Sequence, residues 1–303
     1  MTSSNKKVVV ITGPTAVGKT MVAIKVAQHF KTEILSADSR QFFKEISIGT
    51  AKPTIDELRQ VPHHFVDFIS INDTISAGEF EKIALRKIEQ LHKKNDVVIL
   101  TGGSGLYIDA VTTGIDKFPT ISKNTKQKVS YWLEEDFVKL QQFIKEKDPE
   151  QFKNMDTQNP MRISRVAEVI LESGKPYSSF LKGNKPKRPF EVITFCLTMK
   201  REKLYHRINT RVDKMLALGL EDEAKKVYPQ KHLQALNTVG YKELFNYFEG
   251  NITKAEAIEK IKQHTRNYAK RQLTWFKKKS DAYWIENEDL QKTANEIIKR
   301  ISA

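Results

Sequence analysis

Short, largely apolar runs alternate with longer amphipathic ones over about the first hundred residues of the chain. Lys7 to Thr12, Glu33 to Ser36 and Val97 to Thr101 are three such runs, rich in Val, Ile and Leu. None alternates apolar with polar at period two, so each predicts a strand buried on both faces, as parallel strands are. Between them, Met21 to Phe30 and Ala77 to Lys93 carry apolar residues at helical spacing. Strand and helix in alternation predict a doubly wound parallel sheet. Glu191 to Leu197 reads as a fourth strand of that sheet and Tyr283-Trp284-Ile285 as a fifth.

A long helical stretch, residues 122–181, interrupts the pattern. It places Trp132, Leu133, Phe137, Leu140 and Phe143 at helical spacing, followed by a second helix over 161–173. Gly174-Lys175-Pro176 stops that helix, because glycine terminates it and proline cannot continue it. The basic, breaker-rich segment Lys182 to Pro189 then returns the chain to the sheet. Thr253-Lys254-Ala255-Glu256 is a capping box and starts a helix whose stripe is Ile258, Ile261, Tyr268, Trp275 and Phe276. The domain reading is therefore 1–118 for the first part of the core, 119–185 for a helical insertion, and 186–303 for the rest of the core with a helical C-terminal region.

Composition narrows the class. No apolar run approaches the roughly eighteen residues that a membrane-spanning helix needs. Met1 to Lys7 is polar and lacks the parts of a secretion signal, so a cytoplasmic protein is expected. Cys196 is the sole cysteine, which excludes an internal disulfide and a cysteine-based zinc finger. The seven histidines, including His63-His64, lack metal-ligand spacing. Fifty-one Lys and Arg against thirty-seven Asp and Glu leave a net charge of +14. Such a balance fits a solvated surface or a polyanionic partner. From Asn251 to Lys279, nine basic residues face two Glu. Part of that charge is expected to meet nucleic acid, and Tyr268 and Trp275 are expected in the core.

The sharpest chemical signal follows the first strand. Gly13-Pro14-Thr15-Ala16-Val17-Gly18-Lys19-Thr20 has the form G-x-x-x-x-G-K-[ST] and opens the first helix. Backbone amides and the positive end of a helix macrodipole converge there on phosphate oxygens. Lys19 adds a point charge, and the Thr20 hydroxyl can ligate Mg²⁺. A diphosphate or polyphosphate is thus expected at this loop. The fold class is α/β, a P-loop NTPase-like parallel sheet core with an inserted helical domain and a helical C-terminal region. Yet Val97 to Leu100 runs into Thr101-Gly102-Gly103-Ser104 without the strand-end Asp that an NTPase uses for Mg²⁺ and water. The carboxylate comes earlier, as Asp38, just past the second strand. Asp38 can hold a metal, accept a proton beside the diphosphate, or cap the next helix. Gly102-Gly103-Ser104-Gly105 is a second glycine-rich loop, whose small residues permit close backbone approach and whose Ser104 hydroxyl can meet a phosphate oxygen.

Taken in order, GPTAVGKT, Asp38-Ser39-Arg40-Gln41, Ile48-Gly49-Thr50-Ala51-Lys52-Pro53, Gly102 to Tyr107, Asn237-Thr238-Val239-Gly240-Tyr241 and Thr265 to Trp275 resemble the bacterial tRNA dimethylallyltransferases over almost the whole chain. The resemblance implies transfer of a dimethylallyl group to N6 of the adenosine just 3′ of the anticodon. It puts dimethylallyl diphosphate, rather than ATP, on the phosphate loop and so accounts for the absent strand-end carboxylate. It makes Asp38 the base, puts Ser104 where the family usually has Thr, and makes Arg211 of the pair Arg207 and Arg211 the diphosphate-binding arginine. It also implies tRNA contacts at Asp38, Ser39, Arg40, Gln41, Ser104, Lys126, Met161, Arg162, Ile163, Ser164, Arg165, Gly240 and Tyr241. The expected partners are dimethylallyl diphosphate and a tRNA anticodon loop, with Mg²⁺ at Thr20, no membrane, and a monomer. The rival readings are a P-loop kinase or NTPase, an adenylate isopentenyltransferase acting on free nucleotide, and a non-enzymatic RNA-binding protein with a degenerate loop.

Overall fold

The computed structural model describes residues 6–181, 183 and 186–303; Lys182, Asn184 and Lys185 of the basic return lie outside the described residues. Two compact units result, one formed by Met1–Thr113 with Arg188–Ala303 and the other by Gly114–Lys187.

In the first unit, six strands make one sheet: β1 (Lys7–Thr12), β2 (Ile34–Ser36), β3 (His63–His64), β4 (Val97–Gly102), β5 (Glu191–Thr198) and β6 (Tyr283–Glu286). All pairings are parallel, in the order β3-β2-β4-β1-β5-β6. The central strands β4 and β1 each carry four consecutive apolar residues, since both have neighbours on both edges and helices on both faces. Val9 and Ile11 face one layer, α1 (Lys19–His29), α9 (Arg201–Ala217) and α13 (Leu290–Ser302), through Val22, Val26, Ile208 and Ile297. Val8 and Val10 face the other, α3 (Ala77–His92) and α4 (Gly105–Thr112), through Phe80, Ala84, Ile88 and Ile108. Each fully buried Val or Ile of this strand contributes about 1.5–3 kcal/mol by leaving water. The five strands expected from the sequence are present. β3 and the helix before it, α2 (Ile55–Gln60), were not legible: α2 buries no residue and therefore shows no apolar stripe. Capping boxes start α2 at Thr54 and Glu57, α3 at Ser76 and Glu79, and α12 (Lys254–Phe276) at Thr253 and Glu256. A third cluster lies past the strand tips, where Phe43, Ile46 and Ile71 pack with Leu220 and Ala224 of α10 (Leu220–Val227) and Tyr241, Leu244 and Phe245 of α11 (Tyr241–Phe248).

The second unit holds α5 (Lys123–Glu135), α6 (Phe137–Lys147), α7 (Pro149–Asn154) and α8 (Pro160–Ser173). The first stretch read as helical across Trp132 to Phe143 is broken at Asp136, whose backbone leaves the helical region and whose carboxylate caps α6 at Lys139 N. Gly174 closes α8 in the left-handed conformation, at φ 66°. Val129, Leu140, Ile144, Ile163, Val166 and Ile170 form the core. Asp148 is only 2% exposed and ties this unit together. Its Oδ1 accepts from Gln151 N at 3.1 Å and from Ser178 Oγ at 2.9 Å, and its Oδ2 from Ser178 N at 2.7 Å. Asp148→Ala removes a helix cap and strands buried donors, so urea unfolding should show a loss of about 2 kcal/mol. An unchanged midpoint would show that these bonds are replaced by water without cost.

Candidate active site

The phosphate loop is shaped by what its glycines avoid. A Cβ on Gly13 would lie 2.4 Å from the Leu197 carbonyl oxygen of β5, and Gly13 has φ +139°. A Cβ on Gly18 would lie 2.8 Å from Asn287 Nδ2, with φ +100°. Neither position admits another residue. Asn287, 2% exposed and just past β6, donates from Nδ2 to the Val17 carbonyl at 2.7 Å. Lys19 Nζ donates to the carbonyls of Gly13 at 3.0 Å and Pro14 at 2.8 Å, which folds the loop around its own ammonium. Val17 is fully buried, whereas Thr15, Ala16, Gly18, Lys19 and Thr20 line a cleft. The first turn of α1 carries no acidic residue, so its positive end is left for an anion.

The second glycine-rich loop serves packing. A Cβ on Gly102 would meet the Ala37 carbonyl carbon at 2.5 Å, one on Gly103 would meet Gln272 Nε2 at 2.2 Å, and one on Gly105 would meet the Trp275 ring at 2.3 Å. The glycines thus let α12 lie directly on the loop. Gln272, 5% exposed, accepts from Thr15 N at 2.8 Å and donates to Gly103 O at 3.0 Å, joining the two loops. Trp275 is 39% exposed and donates from Nε1 to Asp109 Oδ2 at 3.0 Å, so it is not the core residue its spacing implied. The Ser104 hydroxyl, expected to reach phosphate, accepts from Ser39 N at 3.0 Å and lies 3.1 Å from Ser39 Oγ. It holds the loop that carries Asp38.

Asp38 follows β2 and sits half-buried on the cleft. Its Oδ1 accepts from Arg40 N at 3.1 Å, closing a turn. It caps no helix, because α2 is capped by Thr54. Arg40 donates to the carbonyls of Gln234 at 3.2 Å and Ala235 at 3.1 Å. Gln41 donates to the Ala51 carbonyl at 3.1 Å, and Lys52 reaches the Phe43 carbonyl at 2.6 Å and the Asp67 carboxylate.

The cleft has a volume of about 1030 Å³ and gathers the phosphate loop, Asp38 to Gln41, Gly49 to Pro53, Arg207, Arg211, Asn237 to Gly240 and one side of α12. Arg211 donates from Nη1 to Thr15 Oγ1 at 3.2 Å. Burial pulls its guanidinium below the usual range, Asp38 opposes this, and Arg207 adds to it. Burial likewise brings the Lys19 ammonium down to about 8, against the pull of Asp38 and with the push of Arg211. Tyr268, expected in the core, is half-buried and lines the cleft; burial and then Asp38 push its phenol up. Of the residues singled out from sequence, Lys19, Thr20, Asp38, Ser39, Arg40, Gln41, Arg211 and Gly240 therefore share one cavity. Tyr241 is 0% exposed and offers no surface to RNA. Lys126, Met161, Arg162, Ser164 and Arg165 belong to the helical unit, Met161 at 61% exposure. Ile163 is fully buried in the core of that unit, which removes it from the contact set. Gln272, Tyr268 and Asn287 were not selected from sequence, since an amide or a phenol gains a role only from what the fold sets beside it.

A parallel sheet with a phosphate loop and a carboxylate-bearing loop on one cleft defines a protein built to hold a phosphorylated substrate against a second reactant. Residues 41–279 match the sequence pattern of the family described as IPP transferase. The chain is 51% identical over 290 residues to a tRNA dimethylallyltransferase of Christiangramia forsetii, covering 95% of this chain and 96% of that one. It is 48% identical over 303 residues to a tRNA dimethylallyltransferase of Flavobacterium johnsoniae, covering 98% and 97%. Among solved structures, a tRNA delta(2)-isopentenylpyrophosphate transferase of Staphylococcus epidermidis matches with a TM-score of 0.71 and 36% identity, over 98% of this chain and 99% of that one. A eukaryotic dimethylallyltransferase acting on tRNA matches with a TM-score of 0.80 and 27% identity, over 97% and 77%. The chain belongs to the IPP transferase family.

The lowered Lys19 gives the anion site a pH dependence. Below about 8 the free site holds the Lys19 ammonium; above it Lys19 is neutral while Arg211 stays charged, and a diphosphate must reprotonate Lys19 to bind as well. Titrating inorganic diphosphate into wild type and Lys19→Met from pH 7 to 9.5 should therefore show a wild-type advantage that shrinks above about pH 8. The ratio cancels the ligand's own ionisation. A constant ratio well above one would mean that Lys19 keeps its proton throughout the series, and a ratio near one that its charge does not contribute.

Proposed function

We infer that this protein transfers a dimethylallyl group from dimethylallyl diphosphate to N6 of the adenosine just 3′ of the anticodon in tRNA. The observation that carries the reading is the meeting of Lys19, Arg211 and Asp38 in one cleft, in a chain of this family. The C1–O bond of the donor breaks and its electron pair leaves with the diphosphate. Lys19, Arg211 and the loop amides supply positive charge where that charge develops. The N6 lone pair forms the new C–N bond, and Asp38 accepts the proton that N6 gives up. An adenosine in an anticodon loop is unstacked at low cost, so it can enter the cleft. Lys126, Met161, Arg162 and Arg165 supply an exposed or half-exposed surface for the RNA, backed by Ile163 in the core of the same unit.

Among the described residues, no group of three His, Cys, Asp or Glu side chains is arranged to hold a metal ion. The cleft does present the Thr20 hydroxyl at the start of α1. That donor set fits Mg²⁺, which keeps several waters and takes its remaining ligands from substrate phosphates. Bound there through Thr20, Mg²⁺ would neutralise charge on the departing diphosphate. No described helix is long and apolar enough to cross a membrane. We place the protein in the cytoplasm with its tRNA, acting as a monomer.

Incubation with dimethylallyl diphosphate and unmodified tRNA, followed by nucleoside mass analysis, should yield N6-dimethylallyladenosine. A product only with free AMP, or steady ATP hydrolysis instead, would replace this reading with one of its rivals. Asp38→Asn should slow single-turnover transfer by roughly 10²–10⁴, with both substrates still bound, because an amide cannot take the proton. Recovery of the rate with added Mg²⁺ would identify Asp38 as a metal ligand, and a rate near wild type would remove it from the chemistry.

A further inference from the structure

Glu223 lies on α10, outside every segment that carries the family resemblance, and it organises two of them. Its Oε2 accepts from Ser47 N at 2.8 Å and Ile48 N at 2.9 Å. Its Oε1 accepts from Gly49 N at 2.9 Å and from the Tyr241 hydroxyl at 2.5 Å. Three consecutive amides and a phenol thus converge on one carboxylate, an anion nest filled by the protein's own side chain. The fit requires a glycine, since a Cβ on Gly49 would lie 2.6 Å from the Tyr241 ring. Tyr241 is fully buried, so its hydroxyl has no water to turn to. Both segments continue onto the cleft, as Gly49 to Pro53 and as Val239 and Gly240.

We propose that Glu223 is a positioning residue for the acceptor side of the cleft, a proposal that rests on the transferase reading above. The Gly49 to Pro53 wall is joined to the Asp38 loop through Gln41, which donates to Ala51 O at 3.1 Å and accepts from Ser36 Oγ at 3.2 Å. The phosphate loop is held by other groups: Gln272 at Thr15, Asn287 at Val17 and the close contact of Gly13 with β5. Loss of Glu223 therefore loosens the wall beside the base while leaving the diphosphate loop in place.

Glu223→Gln keeps the size but turns an NH₂ toward two of the four donors. It should lower kcat/KM for tRNA by about ten- to a hundredfold, the effect of spoiling hydrogen bonds to a charged group. Affinity for dimethylallyl diphosphate, measured by calorimetry, should stay within about twofold of wild type, and that intact binding reports that the variant is folded. Tyr241→Phe removes one donor and should give a smaller loss of the same kind, which keeps the proposal testable if Glu223→Gln does not fold. Wild-type turnover of tRNA in the same assay separates failure of this inference from failure of the transferase reading. An unchanged kcat/KM for tRNA would overturn the proposal. Equal losses for donor and tRNA would overturn it too, by making Glu223 a residue of general stability.

Discussion

The approach of Gly13 to β5 is the contact on which the site depends. With its α-carbon against the Leu197 carbonyl, the chain leaving β1 has no room for a side chain and must turn sharply toward α1. That turn aims the backbone at the start of α1, where the macrodipole is positive and no acidic side chain cancels it. β5 enters the sheet only after the helical unit, so the loop reaches its working shape when strands distant in sequence pair in register, Thr12 beside Cys196.

Around that turn, two distant side chains and the loop's own lysine hold part of its backbone and leave other amides for a ligand. Gln272 takes the Thr15 amide, Asn287 the Val17 carbonyl, and Lys19 the carbonyls of Gly13 and Pro14. A loop held in this way does not reorganise when a substrate arrives, which is the condition for electrostatic stabilisation of a leaving group. Gln272 also holds Gly103, so the same amide that braces the phosphate loop braces the end of β4. Ser104 extends the bracing to Ser39 and hence to the turn of Asp38. Diphosphate site and carboxylate thus belong to one hydrogen-bonded frame.

The frame concentrates positive charge at a cost. Lys19 and Arg211 are desolvated and repel each other, and both are held below their usual ranges, with Asp38 the carboxylate that opposes the shift in each case. Buried cations of this kind favour any ligand that brings negative charge. An allylic diphosphate brings it, and accumulates more as its carbon–oxygen bond breaks.

The parallel sheet, the phosphate loop and the capped start of α12 were legible in residue order, because they follow from local patterns: unbroken apolar runs, glycines at fixed spacing, and a Thr three residues before Glu. The break at Asp136 was hidden because the apolar spacing runs through it, and α2 was hidden because it buries nothing. Family resemblance marked Gly102 to Gly105 and Gly49 as motif glycines, but their reason is tertiary: they make room for Ala37, Gln272, Trp275 and Tyr241, which arrive from elsewhere in the chain. It also marked Tyr241 as a contact, where the fold buries it, and spacing consigned Trp275 to the core, where the fold leaves it on the surface bonded to Asp109. Sequence alone determined that the turn from β1 to α1 is shaped for an anion, since that geometry needs only neighbours along the chain. Which carboxylate faces that anion, which arginine reaches the loop and what Glu223 holds were decided by the tertiary structure, because a side chain's hydrogen-bond partners are set by what packs against it and not by what precedes it.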